Sequence, residues 1–109
     1  MTYVFDIDNT ICKKNNDDKY ENCVPINERI KKINELHKKG HVIIFHTARG
    51  MGRHNNDIGK AVMDFYDLTV KQLRKWGVKY HGLFMGKPSG DIYIDDKGMS
   101  DENFFNTKN

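Results

Sequence analysis

The chain has 109 residues, 38% of them hydrophobic and 30% charged, which is enough for one domain with a modest core and too little for two. Its formal charge of +3 comes from 18 basic and 15 acidic residues mixed along the chain, a balance that neither requires nor excludes a nucleic-acid partner. No apolar run approaches a membrane span and the first residues lack a signal peptide's apolar segment, so a cytoplasmic protein with Cys12 and Cys23 as reduced thiols is expected.

The first element is the run Tyr3-Val4-Phe5, β-branched and aromatic, read as a buried strand that stops in Asp6-Ile7-Asp8-Asn9-Thr10. Residues two apart in a strand point to one side, so Asp6 and Asp8 are expected to share a face at the strand tip. Two carboxylates held together repel unless a cation, a proton or hydrogen bonds stand between them, and all-oxygen donors favour a hard cation such as Mg²⁺. Asn9 stands where the chain must leave the strand, and Asn tolerates left-handed backbone. The Thr10 hydroxyl is expected to tie the turn together. The polar tract 13–22 then reads as a projecting loop or hairpin that returns through Tyr20 to Val24 and overhangs the acidic turn.

Pro25 and Asn27 open a helix predicted to reach about Lys39, with Ile26, Ile30, Ile33 and Leu36 at helical spacing and Gly40 as its stop. Val42-Ile43-Ile44-Phe45 is a nearly continuous apolar run, the pattern of a parallel strand covered on both faces. It ends in His46-Thr47-Ala48-Arg49-Gly50, where a hydroxyl, a guanidinium and a glycine suit an oxyanion. Residues 51–59 read as a loop, and a second helix is predicted over 60–76 with Val62, Tyr66, Val70 and Leu73 as its stripe. A third strand is placed around Leu83-Phe84. Gly86-Lys87-Pro88-Ser89-Gly90 follows, then a fourth strand, Asp91-Ile92-Tyr93-Ile94, that ends in Asp95-Asp96 as the first ended in acids. Adjacent strand residues point apart, so one of Asp95 and Asp96 is expected to meet a metal directly and the other through water or a hydrogen bond. A short closing helix over 100–106 is expected to pack through Phe104 and Phe105. The five histidines show no ligand spacing.

Four strands alternating with helices predict an α/β fold with a mostly parallel sheet, whose ligands bind beyond the C-terminal strand ends. Asp6 and Asp8, Thr47 and Arg49, and Asp95 and Asp96 all fall at such ends. At these positions the chain resembles the haloacid dehalogenase (HAD) superfamily of phosphohydrolases. The DxDxT motif corresponds to Asp6, Asp8 and Thr10, and the hydroxyl ending the second strand to Thr47. Lys87 answers to the upstream basic residue, and Asp95 and Asp96 to the paired acids. The segments around Thr47–Met51 and 86–97 are also similar to small bacterial and phage phosphatases of capsule or surface-polysaccharide synthesis, and to the phosphatase half of polynucleotide kinase-phosphatases.

The resemblance implies a Rossmann-like three-layer sandwich of about four strands without a cap domain, and a Mg²⁺-dependent phosphomonoesterase. Asp6 would be the nucleophile that forms an aspartyl-phosphate and Asp8 the general acid and then base. Mg²⁺ would be held by Asp6, the Asp8 backbone carbonyl and Asp95, with Asp96 in support. Thr47 and Lys87 would bind the phosphoryl oxygens, with Thr10 and Arg49 as further phosphate or substrate contacts. The expected substrate is a sugar phosphate or similar small metabolite. The alternatives are a nucleotide or nucleic-acid-end phosphatase, which the charge does not favour, and a non-catalytic phosphate- or metal-binding protein. A capless site is open, and a large substrate or a second copy of the chain could cover it.

Overall fold

The computed structural model describes residues 1–106. In chain order these form β1 (Thr2–Phe5), β2 (Cys12–Lys13), a 3₁₀ turn (Tyr20–Asn22), β3 (Val24–Pro25), α1 (Asn27–Lys38), β4 (Val42–Thr47), α2 (Ile58–Lys75), β5 (Gly82–Met85) and α3 (Asp101–Asn106). β1, β4 and β5 make one parallel sheet with β4 in the middle, and β2 and β3 form a separate antiparallel hairpin, the returning loop that the polar tract suggested.

The register sets Phe5 opposite Phe45 and Thr47 opposite Met85, so the three strands finish close together at one edge. Along β4, burial alternates: Ile43, Phe45 and Thr47 are buried, while Val42, Ile44 and His46 are less covered. Ile30 and Ile33 from α1 and Leu73 from α2 join Phe5, Ile43 and Phe45 in one apolar cluster, with Phe104 and Phe105 of α3 packed against it. Right-handed crossovers that advance in one direction along a sheet place their helices on the same face. The other face carries Val4 and Phe84, 62% and 57% exposed. The reading of β4 as covered on both faces is therefore corrected, and the third layer is not formed among the described residues.

The helices follow their sequence signals at the ends more closely than on their faces. α1 buries Ile30 and Ile33 as its spacing required. α2 starts earlier than expected because Asp57 caps it, its carboxylate accepting from the Lys60 N–H at 3.2 Å. Its buried side is Ala61, Phe65, Thr69, Gln72 and Leu73, which turns Val62 and Tyr66 outward. Two polar residues sit on that buried side because a buried guanidinium needs them, as described below.

The fourth strand is not formed. Residues 91–94 are exposed, Ile92 at 78% and Ile94 at 91%. Local bonds hold this stretch in a turn instead: the Tyr93 hydroxyl donates to the Pro88 carbonyl at 2.6 Å and accepts from the Gly90 N–H at 3.0 Å. No helix is long and apolar enough to cross a membrane among the described residues.

Candidate functional site at the strand ends

Where β1 stops, the chain makes a tight turn. The Thr10 and Ile11 N–H groups both donate to the Ile7 carbonyl, at 3.0 and 2.9 Å, and the Asn9 N–H to the Cys12 carbonyl at 2.7 Å. Asn9 takes φ of 61°, the left-handed backbone its residue type tolerates. Ile7 is fully buried and anchors the turn, leaving Asp6 and Asp8 partly open to solvent on either side of it. Thr10 is engaged through its carbonyl, which accepts from Arg29 Nη1 at 2.9 Å.

The two acids face different cations. Lys87 Nζ lies 3.9 Å from Asp6 Oδ2, and the Lys87 N–H donates to the Thr47 carbonyl at 3.1 Å, which fixes the lysine's backbone to the end of β4. No helix is needed to carry it there. The Lys87 ammonium also rests 4.3 Å from the centre of the Tyr93 ring, a cation–π contact. Burial pushes the Asp6 carboxyl above its ordinary range and the charge of Asp8 adds to this; the Ile7 N–H and Lys87 pull the other way without cancelling it. His46, beside the same pair, is pushed down by burial and by Lys87, against a smaller upward pull from Asp6.

Asp8 is held by Arg49. The Arg49 Nε donates to Oδ2 at 3.0 Å and Nη2 to Oδ1 at 3.0 Å, a bidentate fork. The remaining nitrogen, Nη1, donates to Thr69 Oγ1 at 3.1 Å and Gln72 Oε1 at 2.5 Å. Gln72 in turn donates to the Tyr20 carbonyl at 2.7 Å, and the Tyr20 ring lies 5.1 Å from the guanidinium carbon. Burial opposes the charge on Arg49, but the hydrogen bonds and charge of Asp8 outweigh it and hold the guanidinium protonated. The expected phosphate contact from Arg49 is thus corrected. The residue is 1% exposed and each guanidinium nitrogen already has an acceptor. Thr47 is also fully buried, and its hydroxyl accepts from the Arg49 N–H at 3.2 Å.

Asp95 and Asp96 stand on the exposed loop that replaced the fourth strand, where Asp95 Oδ1 accepts from the Lys97 N–H at 2.6 Å. Asp6, Asp8, Asp95 and Asp96 do not converge as a set. Among the described residues, the trio of histidine, cysteine and acidic donors within 4.8 Å of one another is Asp8, Cys12 and Cys23. A hard dication needs only one or two carboxylates beside water and substrate oxygens, so Asp6 suits it in donor type while the outer acids are not drawn in. Thr69, Gln72 and Tyr20 were not legible as site residues; a polar pair four and one residues from a buried leucine on a helix was the available sign.

No family model matches the chain, and no curated protein does. A crystal structure of a structural-genomics target from Vibrio cholerae is similar in fold, with 28% sequence identity and a TM-score of 0.89. The match covers 98% of this chain and 89% of that one. The class defined by fold is a small α/β protein with a three-stranded parallel sheet.

Proposed function

We propose that the chain is a HAD-type phosphomonoesterase, with Asp6 as nucleophile on a small phosphorylated metabolite. The observation that carries this reading is the Asp6–Lys87 pair at 3.9 Å, assembled from the ends of β1 and β5 beside the end of β4. A partly desolvated carboxylate next to one ammonium is a nucleophile with a built-in attraction for a phosphate dianion. Asp6 would attack phosphorus as the ester bond to the leaving alcohol breaks, giving an aspartyl-phosphate that water then hydrolyses. Lys87 would neutralise phosphoryl oxygens, and Thr47 would fix the lysine through its carbonyl. Mg²⁺, held by Asp6 and the Asp8 backbone carbonyl with water and substrate oxygens, would supply charge neutralisation.

Asp8 takes the acid–base part in this reading, with a restriction set by Arg49. Both Asp8 oxygens accept from the guanidinium, so a proton from the hydrolytic water would have to be taken on a lone pair that the fork leaves free. To give a proton to a leaving alcohol it must first release one of those contacts.

The test is phosphate release from sugar phosphates, nucleotides and 3′- or 5′-phosphorylated oligonucleotides, with Mg²⁺ and with EDTA. Mg²⁺-dependent release that Asp6→Asn abolishes is expected, with the preferred ester naming the substrate class. Equal turnover in Asp6→Asn, or no release from any ester, would overturn the reading.

A further inference from the structure

Asp8 has a second set of neighbours that phosphoryl transfer does not use. Cys12 Sγ lies 3.7 Å and Cys23 Sγ 3.4 Å from the same oxygen, Asp8 Oδ1, and both thiols are free and buried. Cys23 donates its S–H to that oxygen, and Cys12 has its single S–H shared between that oxygen and the Ile7 carbonyl at 3.6 Å, so two thiol hydrogens surround Oδ1. We propose that Cys12, Cys23 and Asp8 form a binding site for a thiophilic divalent cation of the zinc class, the ion replacing those two hydrogens.

The donor types fit. Two sulfurs and a carboxylate oxygen match Zn²⁺ or Co²⁺ and discriminate against Mg²⁺, which prefers oxygen throughout. The spacing fits as well. Metal–sulfur bonds of about 2.3 Å and metal–oxygen bonds of about 2.1 Å in a tetrahedron place donors roughly 3.4 to 3.8 Å apart. The two sulfur–oxygen separations already fall there, and all three donor atoms lie within 4.8 Å of one another. Solvent or substrate would take the fourth position.

Charge balance favours the exchange. The pocket now holds one carboxylate, one guanidinium and two neutral thiols. As the dication enters, two S–H bonds break, two sulfur–metal bonds form and two protons leave, so the net charge of the pocket does not change. Arg49 keeps its 3.0 Å contact with Oδ2, the outer hydrogen bond that orients a ligating carboxylate. A disulfide is the competing use of two close thiols, and the backbone disfavours it. Cys12 pairs with Pro25, which sets Cys23 two residues further along. Such a diagonal separates Cα atoms by about 7 to 8 Å, beyond the roughly 4.4 to 6.8 Å that a disulfide spans.

An ion at Oδ1 would take Asp8 out of acid–base work, so a soft metal would suppress turnover that Mg²⁺ supports. That consequence rests on the phosphatase reading; the binding itself does not. The test is titration of the metal-free protein with Co²⁺ in excess Mg²⁺. Expected are one cobalt per chain, thiolate-to-cobalt absorption in the near ultraviolet, displacement by Zn²⁺ and release of about two protons. Cys12→Ser and Cys23→Ser should each weaken binding by more than the roughly 10- to 100-fold that loss of an outer-shell partner costs. Zn²⁺ should also protect both thiols of the unaltered protein from alkylation, a readout independent of how the variants fold. Absent charge-transfer absorption, or thiols that alkylate equally fast with Zn²⁺, would overturn the proposal. Cobalt binding without phosphate release from any ester would leave the site standing and remove only the catalytic reading.

Discussion

Arg49 lays its guanidinium along both carboxylate oxygens of Asp8, 0% and 16% of the two side chains being exposed. Breaking a buried pair by deleting one partner leaves an uncompensated charge, which costs about 3 to 5 kcal/mol. Arg49→Met should therefore lose stability of that order in urea unfolding. The double variant with Asp8→Asn should lose less than Arg49→Met alone, because the stranded carboxylate is gone. A double variant no better than the single one would show that the fork contributes packing and not charge.

Gly50 has no room for a side chain. Its φ is 78°, and a Cβ there would fall 2.6 Å from Phe65 Cδ2 and 3.2 Å from the Ala61 backbone. Strain and overpacking together predict a loss of about 2 to 4 kcal/mol for Gly50→Ala. Thermal unfolding measures it, and a neutral result would mean that α2 moves freely away from the loop.

Asp6 predicts a trade of activity against stability. Its carboxyl is pushed up from 3.8 by burial first, so the folded protein disfavours the charge. The stability it contributes is fully present below 3.8 and is lost as pH rises through the elevated value. Asp6→Asn should thus raise the melting temperature at neutral pH, leave it unchanged in acid, and abolish phosphate release. A melting temperature that falls at neutral pH would show that the Lys87 attraction outweighs burial.

His46 carries the opposite sign. Burial and then Lys87 hold it below its ordinary 6.5, so it favours folding while neutral. Its contribution is present above 6.5 and is lost as pH falls through the depressed value. His46→Gln should flatten the stability profile between about pH 7 and pH 5. An unchanged profile would place that acid sensitivity elsewhere.

Much of this was legible from local pattern. The spacing of Ile30 and Ile33 gave α1, the apolar runs gave β1 and β4, and Asn9 marked the turn after the acids. Residues 91–94 looked like a strand by the same rule, but the Tyr93 hydroxyl bonded within its own loop, a choice that alternation does not encode. Arg49 read as an oxyanion ligand because a guanidinium after a strand suits one. Its true partners depend on which side of α2 turns inward, and Thr69 and Gln72 are 20 and 23 residues away. Cys12 and Cys23 meet Asp8 only through the hairpin register, which their spacing does not disclose.

The docking of α3 has a temporal consequence. Phe104 and Phe105 sit within about 6 Å, ring centre to ring centre, of Phe5, and Arg29 reaches Asp101 across 72 positions of chain. Closing so long a loop is entropically slow, so these contacts should be among the late ones to form. Until then Tyr3 and Phe5 lack the part of their cover that α3 supplies. During synthesis β1 is made well ahead of α3, and in that interval its aromatic side chains present apolar surface of the kind chaperones shield.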